Sequence, residues 1–75
     1  MKSVIVNAMR TYLKGNIDIH VANVRLHLTN PVGVAEHPDH IETIEKELGI
    51  IAEFEDKLSV LEKYFGTKKK SSYFT

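Results

Sequence analysis

Apolar residues recur along the second half of the chain at Ile41, Ile44, Leu48, Ile51, Phe54, Leu58, Leu61 and Phe65. Steps of three and four keep side chains on one helical face, so the pattern predicts a helix over 38–65. Pro38 suits the first helical position, where no amide donor is needed. Asp39, Glu42 and Glu45 favour the positive end of the helix dipole. Gly66 is the expected stop, since a left-handed residue after the last turn costs glycine nothing.

The first half carries a similar series, Ile5, Met9, Leu13, Ile17, Val21, Val24 and Leu28. It predicts a helix over about 3–28 with Ser3 as N-cap and a kink near Gly15. Residues 17–21 and 24–28 also alternate apolar with polar and are rich in β-branched side chains, which suits two short strands. Length and the continuous helical period favour the helix, and Ala22-Asn23 is a poor two-residue hairpin turn. Between the helices, residues 29–37 form a loop: Pro31 ends the first helix, Gly33 permits a reversal, and Val32 and Val34 cap the core.

Folding the chain at that loop pairs residues whose numbers sum to about 66. Val24 then faces Ile41, Val21 faces Ile44, Ile17 faces Leu48, Leu13 faces Ile51, Met9 faces Leu58 and Ile5 faces Leu61. Every layer is apolar on both sides. Gly15 and Gly49 fall in nearly the same layer, where the backbones could approach closely. The expected fold is all-α, an antiparallel two-helix hairpin that completes a bundle by oligomerisation or docking.

Composition narrows the class. The chain has 75 residues, 43% hydrophobic and 27% charged, with no cysteine. That is one domain at most, too apolar for a disordered chain and too charged for a membrane span. Disulfides and thiolate zinc sites are excluded. The apolar run after Met1 is too short for a signal peptide, so a soluble intracellular protein is expected. A core this small needs support from outside itself, since below ~70–80 residues a single core rarely supplies more than ~3–5 kcal/mol.

Formal net charge is zero, yet unevenly spread. Residues 1–30 hold four basic groups and one acid, net +3; residues 31–65 hold three basic groups and nine acids, net −6; Lys68, Lys69 and Lys70 restore the balance. A basic helix beside an acidic one favours pairing and register, although each exposed ion pair is worth only ~0–1 kcal/mol. Outside the seam a hairpin leaves Val4, Val6, Tyr12, Ile19, Leu26, Ile50, Val60 and Tyr64. Contiguous exposed apolar residues mark association sites. Tyr12, Ile19, Leu26, Ile50, Val60 and Tyr64 are therefore the expected interface, with Tyr73 and Phe74 of the tail as anchors.

Candidate chemistry is sparse. His37 and His40, beside Glu36 and Asp39, are possible zinc or iron ligands, but they match no known ligand spacing, and polar groups commonly collect at helix termini. His20 and His27, seven residues apart, read as surface or interface histidines. The carboxylates Glu42, Glu45, Glu47, Glu53, Glu55, Asp56 and Glu62 read as a solvated face, because acid–base catalysis needs a buried or paired carboxyl in a cleft. No nucleotide loop or triad spacing occurs. No enzyme and no cofactor are expected. Lys2, Arg10, Lys14, Lys68, Lys69 and Lys70, with tail aromatics able to stack on bases, form the alternative of a nucleic-acid surface. Zero net charge counts against it.

The run Asn30-Pro-Val-Gly-Val-Ala-Glu-His-Pro-Asp39 precedes an Ile- and Glu-rich helix with Glu55-Asp-Lys-Leu58 and Leu61-Glu-Lys-Tyr-Phe65. Together they resemble small, functionally uncharacterised helical proteins of tailed bacteriophages, notably those of cyanobacteria. The resemblance spans about residues 10–65 and excludes the lysine tail. It implies a phage origin and a place in the host cytoplasm or virion, and it carries no catalytic residues. The expectation is a non-enzymatic protein working through contacts with itself or with a larger phage or host protein. It would be a virion or assembly component or a host-interaction factor, with no membrane role.

Overall fold

The computed structural model describes residues 2–29 and 38–66. Two helices of equal length, α1 (Lys2–Thr29) and α2 (Pro38–Phe65), pack against each other as an antiparallel hairpin. Each has 28 residues, or ~42 Å at the usual helical rise. There is no strand among the described residues. The alternating stretch 17–28 is helical because that conformation turns Ile17, His20, Val24 and His27 toward α2, while Ile19 and Leu26 stay outside. A pair of strands would leave open edges.

Helix α1 runs through Gly15 without a break, and Ser3 lies inside its first turn, one residue after the helix begins. Near its end, Thr29 Oγ1 donates to the Arg25 carbonyl oxygen at 2.8 Å, and further back Asn16 Nδ2 donates to that of Tyr12 at 2.9 Å. Side chains of this kind satisfy backbone acceptors within their own helix. At the end of α2 the Gly66 amide donates to the Glu62 carbonyl at 3.0 Å. Gly66 is not left-handed, as the sequence reading expected. Instead, a Cβ placed there would lie 2.5 Å from the Glu62 carbonyl oxygen, so crowding excludes a side chain.

The helices meet along two rows. On α1 the row is Val6, Arg10, Leu13, Ile17, His20, Val24 and His27; on α2 it is His40, Ile44, Glu47, Ile51, Phe54, Leu58 and Leu61. Both alternate steps of three and four, an average of 3.5 that stays aligned with a partner helix. Several expected seam residues fall outside these rows: Ile5, Met9, Leu28, Ile41, Leu48 and Phe65 are all exposed. The reason is geometric. A step of four residues over-rotates the helix by ~40°, so the series Ile5-Met9-Leu13-Ile17-Val21 winds around α1 and meets α2 only in its middle.

The expectation of wholly apolar layers fails with it, since Arg10, His20, His27, His40 and Glu47 stand in the rows. Close approach at the glycines fails too. A Cβ at Gly15 or Gly49 would meet nothing within 4 Å. The loop expectations for 30–37 and the tail expectations for 67–75 lie outside the described residues.

Candidate functional site

Among the described residues one hydrophobic side chain is buried, Leu13 at 3% exposure. Around it the seam is organised by polar pairs. Arg10 Nε and Nη2 donate in a fork to the two carboxylate oxygens of Glu62, the second at 3.0 Å, and Nη1 donates to Asn7 Oδ1. A two-pronged guanidinium–carboxylate pair fixes orientation as well as charge. Its hydrogen bond raises the Arg10 pKa, burial opposes that shift, and the negative charge of Glu62 adds to it.

Further toward the loop, His20 Nδ1 donates to Glu47 Oε1 at 2.5 Å, and Asn23 Nδ2 donates to the same oxygen at 3.3 Å. The His20 hydrogen bond is the main reason the Glu47 carboxyl titrates below its ordinary value; burial opposes it, while Asn23 and the charges of His20 and His27 assist. The His20 ring also stacks on Phe54, with centroids 6.2 Å apart, and Tyr12 meets the same Phe54 edge-on at 6.3 Å. In the layer next to the loop, His27 Nδ1 and His40 Nδ1 lie 2.8 Å apart with the rings at 75°. One imidazole must donate and the other accept, so the contact needs at least one neutral ring.

The outer surface is different in character. Ile5, Tyr12, Ile19 and Leu26 are spaced by seven and form one stripe along α1, each more than half exposed. Met9 stands beside the stripe and shares a groove with Leu13, Val60 and Leu61. Val60 and Tyr64, a helical turn apart, continue the exposed apolar surface onto α2. Lys57 sits by this groove, bonded to Glu53 at 2.9 Å and 5.5 Å above the Phe54 ring, so its charge is partnered.

Of the expected interface residues, Tyr12, Ile19, Leu26, Val60 and Tyr64 are exposed and Ile50 is half-buried; Tyr73 and Phe74 lie outside the described residues. Of the expected phosphate contacts, Lys2 and Lys14 are exposed on α1, Arg10 is taken up by Glu62 and Asn7, and Lys68–Lys70 lie outside the described residues. His40 faces His27, while His37 is not described. No group of three or more potential metal ligands occurs among the described residues, and no described helix is long and apolar enough to cross a membrane.

The reading of the carboxylates as a solvated face needs correction at Glu47 and Glu62. A signal for Glu47 existed in the sequence: it lies three residues after Ile44 and four before Ile51, squarely on the α2 row. The same rule places Arg10 and His20 on the α1 row. The chain matches no protein-family model, and neither a curated protein nor a solved structure is similar to it.

Proposed function

We propose that the chain is a non-enzymatic helical hairpin that acts by protein–protein contact. In keeping with its sequence resemblance, we place it among small phage proteins, as an assembly component or a factor that engages host machinery. One observation supports the contact reading above others. Two long helices bury a single side chain between them, while twelve large apolar residues stand exposed among those described. Patches of that kind on a small chain mark association surfaces. The polar seam pairs support the same reading from the other side, because they set the register of the hairpin and so hold the outer stripe in a fixed shape.

The test is native mass spectrometry of tagged wild type and an Ile19→Glu variant, each purified from expressing cells at low and high salt. A stoichiometric protein partner, its own copy or another chain, that survives high salt and is lost in the variant supports contact through the apolar surface. Nucleic acid as sole partner, released steeply with salt, would instead favour phosphate binding through the basic first helix.

A further inference from the structure

We infer that His27 and His40 form a two-imidazole site for a divalent transition cation of the nickel(II) or copper(II) class, which clips the last turn of α1 to the first turn of α2. The site lies at the loop end of the seam, apart from the outer apolar stripe and from any partner that covers it.

His27 stands in the last turn of α1 and His40 in the first turn of α2, and both are half-buried. Their Nδ1 atoms lie 2.8 Å apart, and the rings meet edge-on with centroids 4.9 Å apart. With metal–nitrogen bonds of about 2.05 Å, two imidazole nitrogens meeting at a right angle lie ~2.9 Å apart, and in a tetrahedron ~3.3 Å apart. The separation here matches neighbouring positions of a square or tetragonal ion, the geometry that nickel(II) and copper(II) favour. Tetrahedral zinc would have to push the nitrogens apart by about 0.5 Å. In the hydrogen-bonded pair one ring carries a proton on Nδ1. Moving that proton to Nε2 leaves a lone pair on both Nδ1 atoms, and both rings stay neutral.

The surroundings favour positive charge on balance. The carbonyl end of the α1 dipole attracts a cation at His27, and the Glu47 carboxylate is near enough for the charge of His27 to help lower its pKa. The first turn of α2 is the positive end of its helix and opposes this at His40, and Asp39 in the same turn offsets it. His20 is not an equivalent donor, because its Nδ1 is engaged by Glu47. No third ligand completes a cluster among the described residues, so water fills the remaining positions. That suits an exchangeable clip, not a closed metal centre. The two donors are 13 residues apart in sequence and meet only when the hairpin is closed, so the cation binds the folded chain in preference to the unfolded one.

Thermal unfolding of the untagged full chain, followed by circular dichroism with and without nickel(II) chloride, tests the proposal. At free nickel about 100 times its dissociation constant, mass action favours the folded chain by about 100-fold, a midpoint rise on the order of 10 °C. Chelator should reverse the rise. It should also vanish near pH 5, where protons compete for the imidazoles. His27→Gln and His40→Gln should each abolish it, while His20→Gln should keep it. A second measurement needs no variant: substoichiometric nickel should broaden the imidazole NMR signals of His27 and His40 before that of His20. No rise in wild type would mean that the two rings serve only as a hydrogen bond, and would overturn the proposal. So would a rise that persists in both glutamine variants, or broadening that begins at another histidine.

Discussion

Glu47 has surroundings that tie the stability of the hairpin to pH on the acid side. His20 and Asn23 both donate to one of its oxygens, and the carboxyl titrates below its ordinary value of 4.5. A carboxyl whose folded pKa is lowered stabilises the fold at pH values above the unfolded pKa, and that contribution is lost as pH falls through the folded one. Stability should therefore decline as pH drops below about 4.5 and the carboxyl takes up its proton. Carboxyl-detected NMR titration should give Glu47 a midpoint below its ordinary value, and His20→Ala should move it back up. In Glu47→Gln the thermal midpoint should depend less on pH across the same range.

Leu13 works by burial instead. It is the one buried side chain described, and truncating a buried leucine to alanine typically costs ~2–5 kcal/mol. Leu13→Ala should abolish cooperative thermal unfolding or lower its midpoint by many degrees. Ile41→Ala, at a position 73% exposed, should stay within about 0.5 kcal/mol of wild type in urea unfolding.

At the scale of the helix, the glycines separate propensity from geometry. Gly15 and Gly49 sit inside helices, and a Cβ at either position meets nothing within 4 Å. Replacing a mid-helix glycine with alanine gains ~1 kcal/mol when no contact opposes it. Gly15→Ala and Gly49→Ala should each raise the urea midpoint, and the double variant should add them, since neither added Cβ would touch another side chain. Gly66→Ala should do the reverse, because its Cβ would press on the Glu62 carbonyl oxygen at the point where α2 ends. The same Glu62 holds Arg10, so disturbing its backbone loosens the pair that joins the open ends of the hairpin.

At the scale of the molecule, the balance between seam and surface decides behaviour. The seam mixes half-buried apolar side chains with an ion pair and imidazole contacts, which specify register more than they supply stability. The apolar weight lies on the outside. If a second copy covers it, the thermal midpoint of the wild type should rise with protein concentration between about 1 and about 100 µM, as mass action requires of a dimer. Ile19→Glu should unfold at a midpoint that is lower and independent of concentration. Calorimetry or circular dichroism across a dilution series checks both.

The helices and their antiparallel pairing could be read from the chain alone, because both depend on local signals. Three- and four-residue steps, the proline at 38 and the glycine at 66 act within a few residues of themselves. The register follows from where the chain must reverse: His20 with Glu47 and His27 with His40 each sum to 67 and Tyr12 with Phe54 to 66, near the expected 66, while Arg10 reaches along the seam to Glu62, a sum of 72. Which face of each helix meets the other was not legible in that way. Ile5, Met9 and Leu28 belong to as regular an apolar series as Leu13 and Ile17, and helical periodicity alone ranks them equally. Only the partner helix chooses between a row that winds around the surface and a row that stays in line. That choice brought Arg10, His20 and Glu47 into the seam and left Ile5, Ile19 and Leu26 for the outside. A side chain's place on a helix is set by its own sequence; what it touches is set by a residue dozens of positions away.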